Sequence, residues 1–170
     1  MEFTSASANK YLKRLQDEKD YILRNESDTS TYVRSEGEAA DPPIYSYAET
    51  RAQVAEIDRK VLTIRHALHR FNIETVLPNC GLSIDEALIA LAQLSARRDR
   101  VNTLRSRQPK ERLRDRYFGG NTGVVEYQYA NYDIAEAEQD YNALSEEISA
   151  IQLELDLANQ TRTFEVDIEL

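Results

Sequence analysis

The chain has 170 residues with 21 Lys and Arg against 30 Asp and Glu, and its net charge of -9 disfavours general binding to nucleic acid or anionic membranes. No run of ~18 consecutive apolar residues exists to form a membrane span, and the opening Met1-Glu2-Phe3-Thr4-Ser5 lacks the basic region and apolar core of a secretory leader. One cysteine, Cys80, excludes an internal disulfide and fits a reducing compartment, so the expectation is a soluble cytoplasmic protein.

In chain order, a first helix is predicted from the polar run at residues 4–7 to about Arg24, with Tyr11, Leu12, Leu15 and Ile22 on one face and Lys19 interrupting it. Residues 25–45 combine Ser, Thr, Asp, Glu, Gly37 and the Pro42-Pro43 pair, the composition of a flexible linker in which Tyr32-Val33 could add a short extended piece. Ser46 caps a second helix over about 47–72, with Glu49 at its N3 position. Val54, Ile57, Val61, Ile64, Leu68 and Phe71 recur along it at alternating spacings of three and four, a heptad seam.

Pro78, Asn79 and Gly81 end any continuation, and Ser83-Ile84-Asp85-Glu86 has the spacing of a capping box that opens a third helix. The apolar set expected there is Ile84, Leu88, Leu91, Leu94, Val101 and Leu104, with Pro109 marking its end. Gly119-Gly120-Asn121-Thr122-Gly123 reads as a loop. It lacks the lysine and the strand-to-helix context of a phosphate-binding loop. Val124, Val125, Tyr127 and Tyr129 then make 124–130 a strand candidate.

A fourth helix, from near Asp133 to near Asn159, carries a second heptad seam of Ile134, Ala137, Tyr141, Leu144, Ile148, Ile151, Leu155 and Ala158. Residues 163–170 alternate apolar and acidic side chains with period two, a strand with one buried face. The intervening helix separates the two strands by roughly 37 Å at ~1.5 Å per residue, so they cannot pair in a simple hairpin. Either each meets a different part of the same chain, such as the Tyr32 or Ile44 region, or one meets a strand from a second copy. The predicted architecture is mainly α: one elongated antiparallel helical domain of coiled-coil-like hairpins with a small β component.

The strings Leu68-His69-Arg70-Phe71-Asn72-Ile73-Glu74-Thr75, Gly81-Leu82-Ser83-Ile84-Asp85-Glu86-Ala87-Leu88 and Arg97-Arg98-Asp99, with the closing Ile151-Gln152, Leu155-Asp156 and Asn159, resemble the septicolysin-like family of small bacterial helical proteins. The resemblance covers about residues 47–168. It departs where Gln160 follows Asn159, since that family often has a tryptophan there. What it implies is helical architecture and, through the family name alone, a toxin-like cytolysin activity that no apolar segment of this chain supports.

Candidate chemistry is sparse. His66 and His69 lie three apart on the second helix, without the further ligands a metal site needs. Glu136, Glu138, Asp140, Glu146 and Glu147 lack the Glu-x-x-His pairing of di-iron bundles and read as a hydrated face. No catalytic, metal or cofactor-binding residue is assigned, and an enzyme is not expected.

Residues 97–116 hold nine basic and three acidic side chains, and Arg105, Arg107, Arg112 and Arg114 within them are candidate polyanion contacts. Residues 133–170 hold eleven acids against Arg162, so the two segments can neutralise each other. Ten tyrosines and no tryptophan, with Tyr117, Tyr127, Tyr129, Tyr132 and Tyr141 within 25 residues, suit interfaces or a stacking platform. The leading reading is a non-enzymatic cytoplasmic helical scaffold or protein-interaction module that self-associates, most simply as a dimer, or binds another helical protein. Val54, Ile57, Val61, Ile64, Leu68, Ile134, Tyr141, Leu144, Ile148, Ile151 and Leu155 form its packing or oligomer seam. A nucleic-acid-binding module using residues 97–116 is the alternative.

Overall fold

The computed structural model describes residues 1–112 and 125–168. Along them run β1 (Glu2–Thr4), α1 (Ser5–Thr29), α2 (Tyr47–Glu74), α3 (Ile84–Arg105), β2 (Lys110–Arg112), β3 (Tyr127–Tyr129), α4 (Ile134–Thr161) and β4 (Thr163–Glu165). The chain is mainly helical with small antiparallel strand pairs, as its periodicities predict. It divides into two compact units, Met1–Val76 with Asp156–Leu170, and Leu77–Leu155.

In the first unit α1 and α2 form an antiparallel hairpin. Thr4 caps α1 reciprocally: the Ser7 amide donates to Thr4 Oγ1 at 3.1 Å, while the Thr4 amide donates to Ser7 Oγ at 2.9 Å. The helix runs to Thr29, one turn beyond the predicted end at Arg24, because Asn25 and Glu26 fit a helix as readily as a linker. Ala8, Leu12, Leu15 and Ile22 face α2, whose Ile57 and Ile64 are buried against them. Lys19 does not break this seam. Its ammonium reaches Asp58 of α2 at 2.6 Å, and its side chain is partly buried.

Residues 30–44 are exposed, with Val33 and Ile44 fully so. Tyr32-Val33 forms no strand, since no apolar face is available there to cover it. Tyr45 fastens the end of this stretch: its hydroxyl donates to Glu26 Oε1 at 2.6 Å. That carboxylate acceptor holds the phenolic proton and raises the Tyr45 pKa to about 12.

β4 pairs antiparallel with β1 in the register Glu2 to Glu165, Phe3 to Phe164 and Thr4 to Thr163. The period-two reading of 163–170 holds for its faces: Val166 and Ile168 are buried and Phe164 half-buried, while Thr163, Glu165 and Asp167 are exposed. The ladder is shorter than predicted, and Glu169 and Leu170 lie outside the described residues. Its partner is neither the Tyr32 nor the Ile44 region but the opening residues of the chain. Phe164 joins the sheet to the helices, stacked on Phe71 with ring centres 4.9 Å apart and tilted against Phe3 at 6.4 Å.

In the second unit a tight turn leads into α3. Gly81 donates to the Leu77 carbonyl at 2.9 Å and takes φ +71°, a left-handed conformation that glycine adopts without steric cost. Ser83 then closes the predicted capping box: the Glu86 amide donates to Ser83 Oγ at 3.2 Å, and the Ser83 amide donates to Glu86 Oε2 at 2.8 Å. α3 and α4 run antiparallel, and Leu144, Ile148, Ile151 and Leu155 of α4 are buried. On α3 the inward set includes Ala87, fully buried, in place of the expected Leu88, which is half exposed. Residues 84, 87, 91, 94, 98 and 101 recur at a 3-4 alternation and are all buried or half-buried, whereas Leu88 sits a further ~100° around the cylinder. The helix ends at Arg105, four residues before Pro109, with Ser106 as its C-cap.

The strand expected at 124–130 is confined to Tyr127–Tyr129 and pairs with β2, Lys110 opposite Tyr129 and Arg112 opposite Tyr127. The Gly119–Gly123 loop and Val124 lie outside the described residues. Asp133 starts α4, its carboxylate accepting the Ala135 amide at 2.8 Å.

Candidate functional site

The basic segment splits by environment. Arg105, in the last turn of α3, donates from Nη1 to both carboxylate oxygens of Glu138 at 2.9 and 3.0 Å, and its guanidinium lies over the Tyr141 ring at 3.7 Å. Arg97 reaches Asp140 at 3.5 Å. Tyr132 donates its hydroxyl proton to the Leu104 carbonyl at 2.7 Å. These contacts tie the end of α3 to the start of α4, so Arg105 is engaged within the chain while Arg107 and Arg112 remain exposed. Arg114, Arg116 and Tyr117 lie outside the described residues.

The β2–β3 ribbon presents a second basic surface. Lys110, Arg112, Tyr127 and Tyr129 share one face, Glu111 and Gln128 the other, and all six are exposed. Lys110 Nζ stands 4.1 Å from the Tyr127 ring centre and 5.4 Å from that of Tyr129.

The residues of the two expected seams differ in burial. Ile57, Ile64, Leu144, Ile148, Ile151 and Leu155 are buried, and Val54, Val61, Leu68, Ile134 and Tyr141 are half-buried. His66 and His69 are exposed. Of the acids read as a hydrated face, Glu136, Glu146 and Glu147 are exposed, whereas Glu138 and Asp140 hold arginines.

Glu154 has a role that its sequence position gave no hint of. It is buried on α4, and its carboxylate accepts the Asn79 amide at 2.7 Å and the Cys80 amide at 3.2 Å. The turn before α3 is thereby pinned to α4 within the second unit. Two backbone donors on one carboxylate are a strong, charge-assisted pair. The clue was present only as a Pro-Asn-Cys-Gly turn rich in free amides.

α3 also carries an unmatched face. From Ala87 to Ala96 no residue is charged, in a chain where 30% are. One side of this stretch packs inward, while Leu88, Ile89, Ala92 and Ala96 are exposed, the two large side chains at 50% and 54%. Among the described residues no helix is long and apolar enough to cross a membrane, and no group of three or more His, Cys, Asp and Glu is placed to hold a metal.

No family model matches the chain, and no curated protein matches it. Among solved structures it is similar to that of a functionally unknown conserved protein from Corynebacterium diphtheriae, at 18% identity and a TM-score of 0.60, over 97% of this chain and 100% of that one. Likeness at that identity establishes a shared fold and nothing about activity.

Proposed function

We propose that this chain is a non-enzymatic helical interaction module that associates with itself through the outer face of α3, as a homodimer in the cytoplasm. The observation that carries the reading is the uncharged stretch 87–96. A helix that is apolar on both sides buries both, and a single chain covers only the side of Ile84, Ala87, Leu91 and Leu94. Leu88, Ile89, Ala92 and Ala96 supply a strip of the kind that antiparallel helices use to meet across a two-fold axis. The lone Cys80 is consistent with a reducing compartment.

Light scattering across the micromolar range tests it. The expected mass is twice 19.5 kDa, falling to the single-chain value in Leu88→Glu, whose melting curve should be unchanged below the dimer concentration. A single-chain mass for the unaltered protein throughout that range would refute the module as drawn.

A second reading, a nucleic-acid-binding module, is supported by the exposed Lys110, Arg112, Tyr127 and Tyr129 face, which combines charge with aromatic rings in the manner of single-strand platforms. It predicts binding of an unstructured RNA that weakens steeply with salt and is lost in the double variant Lys110→Gln, Arg112→Gln. The engagement of Arg105 with Glu138 and the net charge of -9 weigh against it.

A further inference from the structure

In the first unit a groove of about 780 Å³ runs between α2 and β4. Five successive residues, 163–167, line one wall, and no residue of β1 does. Successive side chains of a strand point to opposite faces, so a wall that includes both sets is the edge of β4, on the side away from β1. The opposite wall is one face of α2, from Leu62 through His66, Arg70 and Phe71 to Glu74.

Backbone geometry along that edge follows from the ladder. The Met1 nitrogen donates to the Val166 carbonyl at 2.6 Å and the Val166 amide donates to the Met1 carbonyl at 2.7 Å, a pair that exchanges both bonds. Such pairs alternate along antiparallel strands. The main-chain groups of Phe164 therefore turn toward β1, and those of Thr163 and Glu165 turn away from it, into the groove; beyond β4 the Ile168 amide donates to the Val166 carbonyl at 3.1 Å, a tight turn on Asp167 that ends the edge. An edge strand with outward amides and carbonyls is a template for another strand.

The lengths match. β4 and the two residues after it span at most about 16 Å, and the twelve steps from Leu62 to Glu74 span about 18 Å of helix.

Charge and polarity select the occupant. Glu165, Asp167 and Glu74 line the groove, and its arginine, Arg70, lies 3.4 Å from Glu74. Below them the Phe71–Phe164 stack, Ala67 and the 70% exposed Leu62 supply apolar surface. A second copy of β4 fits poorly. An antiparallel pair centred on Glu165 sets that carboxylate against its own counterpart, and a parallel pair in register does the same.

We propose that the groove between α2 and the free edge of β4 binds an extended peptide in which lysine or arginine alternates with apolar residues, added as a third strand beside β4. Its cationic side chains meet Glu165 and Asp167, and its apolar ones turn toward Phe71 and Leu62. The site shares no residue with the α3 face.

The probe is a blocked, dye-labelled hexapeptide of alternating lysine and valine, titrated into the full chain by fluorescence anisotropy, with amide hydrogen exchange read on the same complex. Binding should slow exchange at Thr163 and Glu165, and should weaken about tenfold in the double variant Glu165→Lys, Asp167→Lys. A peptide with proline at its central position should not bind, because it loses a ladder donor. Leu88→Glu should bind the probe as tightly as the unaltered chain, which separates this site from the dimer reading. No binding at millimolar peptide, equal binding of a glutamate-valine peptide, or unchanged exchange at the two amides would overturn the proposal. So would protection of those amides that rises with protein concentration alone, since the occupant would then be a second copy.

Discussion

The guanidinium carbon of Arg105 lies 3.7 Å from the centre of the Tyr141 ring, a face of the second-unit seam turned into a cation site. Glu138 holds the same guanidinium through Nη1, so the arginine is fixed by both a ring and a carboxylate. Replacing Arg105 by Gln and Tyr141 by Leu, singly and together, should give a coupling of about 1 kcal/mol in a double-mutant cycle from urea unfolding. Strict additivity of the two changes would show that the stacking contributes nothing.

Glu154 is the side chain whose loss should reach furthest. Truncation in Glu154→Ala leaves the Asn79 and Cys80 amides without their acceptor and should cost about 2 to 4 kcal/mol. Glu154→Gln, which keeps one acceptor oxygen, should cost less. Equilibrium denaturation of both variants provides the check, and the alanine change should also speed hydrogen exchange at residues 79 and 80.

Leu144 and Ile148 are buried on α4, while Ser149 is exposed and donates its hydroxyl proton to the Ser145 carbonyl. Truncation of either large side chain to alanine should cost ~2 to 5 kcal/mol, and Ser149→Ala should change little. Equal small losses at all three positions in denaturant melts would contradict the burial of this face.

Two carboxylate contacts set opposite pH responses. The Ser83 amide, and secondarily its hydroxyl, holds the Glu86 carboxyl below the ordinary glutamate range. The stability it contributes is complete above the unfolded-state value and is lost as pH falls through the lowered folded value. Tyr45 works the other way: raised to about 12 by its bond to Glu26, it stabilises below the ordinary tyrosine value of 10.0 and loses that contribution as pH rises toward 12. Urea midpoints of Glu86→Gln and Tyr45→Phe across pH should converge on the unaltered chain at the acid and alkaline ends respectively.

Helices α2, α3 and α4 were legible because their signals are local. A 3-4 alternation of Ile57, Val61 and Ile64, or a serine three residues before a glutamate, specifies a helix without reference to the rest of the chain. The choice between Ala87 and Leu88 was not legible, because a larger side chain invites burial while the geometry of the seam favours the smaller one one step earlier. β1 escaped notice because three residues carry no period, and its partner lies some 160 positions away. Glu154 escaped because its ligands are main-chain amides, which every sequence has. The outer strip of α3 shows in the sequence only as a lack of charge, which does not say which side of the helix packs inward. The β4 edge became a candidate site once its neighbour on each side was known.

The pairing of Glu2–Thr4 with Thr163–Glu165 makes the first unit discontinuous in the chain, with the whole of Leu77–Leu155 inserted between its parts. Synthesis then imposes an order. The inserted segment completes its own contacts while β1 has no strand to pair with, and Phe3 and Phe71 wait for their ring partner until Phe164 leaves the ribosome. Closing that loop is the most entropically costly contact in the fold. Its formation should limit the folding rate, and the interval before it is when the nascent chain is most exposed to aggregation.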